Sequence, residues 1–169
     1  MSQYFFALWP DDLVRKQVSK VIAALPGKGY KVKAENLHTC LAVLGELSAK
    51  QLSLHIQSAD QINTSPFTLK MDSREWWKRS QTTAIGASDV PDQLFDLINS
   101  LNQAIIPCGY DPEKQPFRLH ITLMENVESP ISPVHFEPIS WLVRSFSLIE
   151  SSNHPEQPSY RVIQSWDFV

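Results

Sequence analysis

The sequence contains few of the residues that hold disulfide-rich folds or cysteine-bound metals together. Its 169 residues include only two cysteines, Cys40 and Cys108, which lie far apart in the chain. Zinc and redox sites normally use closely spaced cysteines, and a disulfide framework needs several pairs. We therefore expect neither a disulfide framework nor a metal centre built from cysteine.

Long apolar runs and an excess of positive charge are also missing. No segment approaches the roughly 20 apolar residues of a membrane span, and the amino terminus lacks the basic start of a signal peptide. The net charge is −3, whereas proteins that bind long nucleic-acid duplexes are usually basic. These features predict a cytoplasmic protein that does not bind membranes and could still hold one phosphate in a local patch.

Hydrophobic residues make up 43% of the chain and charged residues 20%, which is typical of a globular protein. Apolar spacing predicts helices near residues 10–25, 48–62 and 91–105. Alternating segments predict strands at 4–8, 31–44, 67–71, 82–87, 118–124, 141–150 and 159–169, with 129–140 as loop or edge. No low-complexity linker divides the chain, so we expect an α+β protein in which residues 1–169 form one domain.

Two copies of one short pattern carry the functional signal. Leu37-His38-Thr39-Cys40-Leu41 and Leu119-His120-Ile121-Thr122-Leu123 each place a small hydrogen-bonding side chain two residues after a histidine. In extended backbone, alternate side chains share a face. Each histidine should therefore share a face with its Cys or Thr, while the residue between them points the other way. Two imidazoles in one cleft can take and give a proton, which predicts acid–base chemistry on phosphate near neutral pH.

Two alternative roles for the histidines stay open from the residues alone. Both could be satisfied core side chains. Both could bind a metal, which would need a third ligand such as Glu125 or Asp111. No motif supports that third ligand, so we expect no metal and no cofactor.

The paired motifs resemble those of the two-histidine (2H) phosphoesterase superfamily. Within it, the chain is most similar to the bacterial RNA 2′,3′-cyclic phosphodiesterases, also called 2′-5′ RNA ligase-like proteins. Further segments that match family positions are Phe5-Phe6-Ala7-Leu8, Glu35-Asn36-Leu37-His38, Leu44-Gly45-Glu46-Leu47 and Pro116-Phe117 ahead of His120. The resemblance spans most of the chain.

This resemblance implies a fold and a reaction. The fold would be bilobal, with two pseudo-symmetric lobes that each carry a small antiparallel sheet backed by helices and enclose a cleft. The reaction would be metal-independent hydrolysis of an RNA or nucleotide 2′,3′-cyclic phosphate to a 2′-phosphate. Reversible 2′-5′ RNA ligation would be a side activity, the same reaction run in reverse. His120 would be the proton acceptor and His38 the donor, while Cys40 and Thr122 would hold the phosphate. The partner would be an RNA 3′ end or a small nucleotide, with no obligate protein partner.

The sequence departs from the family pattern at three positions. Cys40 replaces a Thr or Ser, and a thiol is a weaker hydrogen-bond donor than a hydroxyl. Glu125 stands where many relatives carry an arginine that helps to hold the phosphate. Ala84 stands where an aromatic residue is expected. Positive charge and base-stacking surface must then come from elsewhere in the chain, and the candidates for substrate binding are Phe6, Trp77 and Arg118.

Cys40 and Glu125 also motivate an alternative function. A cleft that holds phosphate weakly could belong to a nucleotide or RNA-end binding protein with little or no catalysis. Conversion of a cyclic nucleotide to its 2′-phosphate separates the two hypotheses.

Overall fold

The computed structural model describes residues 2–132, 134–152 and 158–169. Between the last two predicted strands the sequence also predicts a turn at 153–158; its residues 153–157, which include His154, lie outside the described residues. The helices are α1 (Asp12–Ala24), α2 (Ala49–Ala59) and α3 (Asp92–Ile105). The strands are β1 (Gln3–Leu8), β2 (Tyr30–Lys31), β3 (Thr39–Gly45), β4 (Phe67–Met71), β5 (Ser73–Trp77), β6 (Thr82–Gly86), β7 (Ile121–Glu125), β8 (Ile139–Val143), β9 (Ser145–Ser152) and β10 (Ser159–Asp167).

The strands form small antiparallel sheets, so the predicted α+β class is confirmed. One four-stranded sheet has the order β10-β9-β1-β3, and we call it the first lobe. A second four-stranded sheet has the order β2-β7-β6-β5, and we call it the second lobe. Strands β4 and β8 form a separate pair. Helix α1 follows β1 of the first lobe but contacts β7 of the second, so the chain crosses between the lobes.

The two lobes repeat one local irregularity. Cys40 pairs with Ala7 on β1, and the register then shifts so that Leu41 is left over as a bulge. On the second lobe, Thr122 pairs with Ala84, and the same shift leaves Leu123 over. Paired residues of antiparallel strands point to the same side, so an alanine lies beside each Cys or Thr of the motif. A bulge also increases strand twist locally. The sequence repeat therefore corresponds to a structural repeat.

The starts of α1 and α2 coincide with side-chain caps. Asp11 caps α1 by accepting a hydrogen bond from the Val14 amide at 2.9 Å. Ser48 and Gln51 form a reciprocal capping box at the start of α2, as Ser or Thr with a Gln three residues later typically do. None of the described helices is long and apolar enough to cross a membrane.

Several predicted strand boundaries are wrong. The predicted strand at 31–44 is two strands separated by a short 3-10 helix, Ala34–Asn36. The predicted strand at 141–150 is divided at Arg144 between β8 and β9, which lie in different sheets. Strand β5, which includes Trp76 and Trp77, lies between the predicted strands 67–71 and 82–87, where no strand was predicted. In each case, pairing with a distant strand decides the boundary, and local alternation does not carry that information.

The expectation that Phe6 stacks on a substrate base is wrong. Ala7 faces the same side as Cys40, so Phe5 shares that side and Phe6 points to the opposite one. The Phe6 side chain is 0% exposed and packs against Phe146 and Trp166 with ring centroids 6.0 and 5.9 Å away. One apolar core runs from this cluster behind both four-stranded sheets, and Phe6 belongs to it.

We expect Phe6→Ala to lower the free energy of unfolding by about 3–5 kcal/mol, the usual cost of removing a buried phenylalanine ring. Phe95→Ala is the matched control, because the Phe95 side chain on α3 is 41% exposed and should cost much less. Urea unfolding monitored by circular dichroism measures both. Equal losses in the two variants would contradict the core assignment of Phe6.

Candidate active site

Both motif histidines lie immediately before their strands, rather than within them as predicted. His38 precedes Thr39, the first residue of β3, and His120 precedes Ile121, the first residue of β7. Each ring is held by its own backbone. His38 Nδ1 is 2.8 Å from the Asn36 carbonyl oxygen, and His120 Nδ1 is 2.9 Å from the Arg118 carbonyl oxygen. The two lobes thus fix their imidazoles by the same contact, to the carbonyl two residues earlier.

This contact determines which ring nitrogen can do chemistry. A carbonyl oxygen only accepts hydrogen bonds, so Nδ1 of each imidazole must carry the proton. The nitrogen left to gain or lose a proton is Nε2. Each lobe therefore contributes one imidazole with a defined tautomer and one reactive atom.

The surroundings favour the neutral form of both imidazoles. Burial lowers the pKa of His38 below its usual value, and positive charge on His120 and Arg15 lowers it further. Burial also lowers the pKa of His120, as does Arg118, while the Glu75 carboxylate opposes this shift. Two neighbouring like charges repel each other, so a state with one protonated and one neutral ring is favoured over a doubly protonated one.

The alternation predicted for the motifs is confirmed. Thr39 and Ile121 are fully buried, whereas Cys40 and Thr122 are only partly buried. The Cys40 thiol lies among apolar side chains, and burial raises its pKa to about 11. It stays protonated near neutral pH, so it is a weak hydrogen-bond donor and a poor nucleophile.

A cavity of about 230 Å³ lies between the lobes. Its walls include His38 and Tyr160 from the first lobe and Thr122 and Glu125 from the second. His120 is not among the described residues that line this cavity. Thr39 nevertheless ties His120 to the same region, because the Thr39 hydroxyl donates to the His120 carbonyl oxygen at 3.0 Å.

The first lobe surrounds His38 with aromatic rings that the sequence reasoning missed. Phe5, Trp9 and Tyr160 have ring centroids 4.9, 6.0 and 5.3 Å from the imidazole. Strand alternation could have found two of them, since Phe5 and Trp9 share the face of Ala7. Arg15 lies behind this wall, with its guanidinium 4.6 Å from the Trp9 ring centroid.

Arg15 is buried and fixes the backbone that carries His38. Its guanidinium donates to the carbonyl oxygens of Ala34 at 2.5 Å and Leu37 at 2.9 Å. These carbonyls flank Asn36, whose own carbonyl holds the His38 ring. Arg15 was missed from the sequence because its helical position looks like that of an ordinary surface charge.

The second lobe surrounds His120 with polar and charged groups. The Trp77 ring meets the His120 ring edge-on, with centroids 4.5 Å apart. Glu75 accepts hydrogen bonds from Trp77 Nε1 at 2.9 Å and from Arg118 at 2.6 Å. The Arg118 guanidinium also lies 5.2 Å from the Trp77 ring centroid. Two of the three substrate-binding candidates, Trp77 and Arg118, thus lie beside His120.

Arg74, Lys78 and Arg79 are further basic residues that could supply positive charge, and they lie on or just after β5. Arg74 donates to the carbonyl oxygens of Ile131 and Ser132. Lys78 and Arg79 are in the turn after β5. Glu125 is exposed at the end of β7, and within the described part of the chain it forms no ion pair. The same part of the chain contains no group of three or more His, Cys, Asp or Glu side chains placed to hold a metal ion.

Relatives of this chain match it over nearly its whole length. No protein-family model matches the chain. The RNA 2′,3′-cyclic phosphodiesterase of Escherichia coli K12 is 31% identical over 166 residues, covering 96% of this chain and 94% of the relative. The protein of the same name from Thermotoga maritima is 26% identical over 185 residues, with coverage of 97% and 94%.

A solved structure matches at the same level. The crystal structure of E. coli LigT with 3′-AMP superposes with a TM-score of 0.86 at 29% identity, covering 99% of this chain and 98% of the other. The resemblance seen in the paired motifs is thereby confirmed over nearly the whole length. The chain belongs to the RNA 2′,3′-cyclic phosphodiesterase family of two-histidine phosphoesterases.

Proposed function

We propose that this protein hydrolyses the 2′,3′-cyclic phosphate of an RNA or nucleotide end to a 2′-phosphate, with His38 and His120 as its acid and base. The observation that carries the proposal is the pair of Nδ1 contacts, which leave one Nε2 on each lobe free to exchange a proton. The full-length relatives named as RNA 2′,3′-cyclic phosphodiesterases support the same reaction. They do not favour the alternative of a binding protein without catalysis.

The proposed reaction begins on the second lobe. Neutral His120 accepts a proton from water at Nε2 as the water oxygen attacks phosphorus. The bond between phosphorus and O3′ breaks, and the phosphate stays on O2′. A base positioned within hydrogen-bond reach of the attacking water accelerates such a step by about 10²–10⁴-fold.

The first lobe completes the proton balance. Protonated His38 gives its Nε2 proton to O3′, which leaves as the ribose hydroxyl. Thr122 donates a hydrogen bond to a phosphate oxygen, and Cys40 does so more weakly. After one turnover the two imidazoles have exchanged protonation states, and exchange with solvent restores them. A 5′-hydroxyl in place of the attacking water would give a 2′-5′ linkage by the same proton transfers.

Charge and stacking in the proposed complex come from the second lobe. Arg118 supplies positive charge beside His120, with its guanidinium held by Glu75. The Trp77 ring offers an aromatic surface at the same place, as single-stranded RNA ends usually require. Glu125 opposes phosphate binding through like-charge repulsion. We therefore propose substrate-binding roles for Trp77 and Arg118 and none for Phe6.

The surface next to the cleft supports an RNA end as substrate. A groove of about 690 Å³ runs between the segments 26–30 and 126–132 and shares Tyr30 with the cavity between the lobes. It offers room for nucleotides that precede the reacting end. We propose the cytoplasm as the location, since both cysteines are free thiols, as is usual in reducing compartments. No obligate protein partner is part of the proposal.

Incubation with a nucleoside 2′,3′-cyclic phosphate should yield only the 2′-phosphate, as read by chromatography or ³¹P NMR. Both His38→Ala and His120→Ala should lower kcat by about 10²–10⁴-fold, because each removes one proton-transfer group. His135→Ala is the matched control, since that exposed ring bonds only Glu137 among the described residues, and it should leave kcat unchanged. Unaltered substrate together with measurable nucleotide binding would instead support the binding-protein alternative.

The pH profile of kcat/KM should be bell-shaped and reach its maximum on the acid side of about pH 6.5, the ordinary histidine pKa. Burial lowers the pKa of both imidazoles, so the form with one proton on the pair exists below the usual titration range of histidine. At higher pH the acid is missing, and at lower pH the base is missing. A flat profile, or a maximum above about pH 7.5, would contradict this assignment.

Glu75→Gln provides a directed test of the same profile. The Glu75 carboxylate raises the pKa of His120, and Arg118 lowers it. Removing the carboxylate while keeping the shape of the side chain should therefore move the limb that reports His120 to lower pH. A shift to higher pH would show that another group controls that limb.

Cys40→Thr should raise kcat/KM by about tenfold, because a hydroxyl donates a stronger hydrogen bond to a charged oxygen than a thiol does. Cys108→Thr is the matched control, since the Cys108 thiol lies 3.2 Å from the Ser58 hydroxyl on the helices rather than at the cleft. It should leave kcat/KM unchanged. Equal or lower activity in a folded Cys40→Thr variant would show that weak phosphate holding is not the limitation.

A further inference from the structure

Thr39 connects the two motif histidines from the side away from the cleft. It follows His38 in the chain, and its side chain is 0% exposed. Its hydroxyl donates to the backbone carbonyl oxygen of His120 at 3.0 Å, across 81 residues of sequence. The path from one histidine to the other therefore consists of one peptide bond, one side chain and one hydrogen bond.

This hydrogen bond joins two parts of the molecule that strand pairing does not join. The strand pairings of the structure place β3 and β7 in different sheets, so no strand pairing sets their separation. Each histidine also lies one residue ahead of its strand, outside the regular part of the pairing. The backbone contacts to Asn36 and Arg118 orient each ring within its own lobe. They do not set the distance between the lobes.

We propose that Thr39 is a positioning residue that holds His120 at its working distance from His38 through the hydroxyl–carbonyl hydrogen bond. This inference rests on the proposed function. It gives a role to the motif position that points away from the substrate, so Thr39 acts through His120 without touching the reacting atoms.

The burial of this contact makes the hydroxyl specific. The Thr39 hydroxyl is wholly buried and its contact with the His120 carbonyl is partly buried, so removing the hydroxyl takes away a donor that solvent does not fully replace. Valine has nearly the shape of threonine but cannot donate, whereas serine keeps the hydroxyl. A displacement of about 1 Å of a reacting group can cost about 10²-fold in rate. The expected defect is therefore in the chemical step rather than in substrate binding.

Steady-state kinetics of the full chain on a nucleoside 2′,3′-cyclic phosphate test the inference. Thr39→Val should lower kcat by about 10- to 100-fold, with KM changed by less than about threefold. Thr39→Ser should recover most of the lost kcat. Thr83→Val is the matched control, because Thr83 is also 0% exposed and its hydroxyl has no hydrogen-bond partner among the described residues. That control should keep the wild-type kcat.

Imidazole NMR titration adds a readout that a purely structural role would not change. Positive charge on His120 lowers the pKa of His38. If Thr39→Val lets the rings move apart, the pKa of His38 should rise towards its usual value, while Thr39→Ser should keep it low. An unchanged His38 titration with unchanged kcat would overturn the inference, and so would a variant that loses only thermal stability.

If Thr39→Val does not fold, Thr39→Ala is compared with Thr39→Ser, because the first variant lacks the hydroxyl and the second keeps it. Equal kcat in those two variants would overturn the inference. Failure of the proposed function is distinguishable from failure of this inference. If the proposed function is wrong, the wild-type protein itself leaves the cyclic phosphate intact.

Discussion

The hydrogen bond from Nδ1 of each imidazole to the carbonyl two residues earlier is the constraint on which the site depends. It fixes the tautomer, directs Nε2 away from the backbone and does so identically for His38 and His120. Each histidine stands just before its strand. Arg15 maintains this arrangement on the first lobe by holding the carbonyls on both sides of Asn36. Thr39 links the two lobes at this point by donating to the His120 carbonyl.

The two lobes repeat a backbone but differ in chemistry. The bulges after Cys40 and Thr122 and the paired alanines beside them are common to both. On the first lobe, the aromatic rings of Phe5, Trp9 and Tyr160 surround His38. On the second lobe, a hydroxyl, a carboxylate and a guanidinium surround His120. In the proposed complex, phosphate binding therefore depends mainly on Thr122 and Arg118 of the second lobe, and Glu125 at the end of β7 opposes it.

The sequence predicts the parts of this structure that depend on local rules. Apolar spacing located the three helices, and the alternation of side chains placed Cys40 and Thr39 on opposite faces of the strand, with Thr39 buried. The interpretation of Phe6 was wrong because alternation gives two opposite faces without saying which one meets the cleft. That choice depends on the register of β1 with β3, which pairs Ala7 with Cys40. Arg15 and the Thr39 contact were missed for the same reason, since both depend on residues that are distant in the chain.

The central claim is that two imidazoles from opposite lobes act on one phosphorus atom. A crystal structure with a nucleoside 2′-phosphate bound tests it most directly. We predict a phosphate between the lobes, with Nε2 of His38 and Nε2 of His120 each within hydrogen-bond distance, about 2.6–3.2 Å, of a different oxygen. A phosphate that contacts only one imidazole, or that binds outside the cleft, would contradict it.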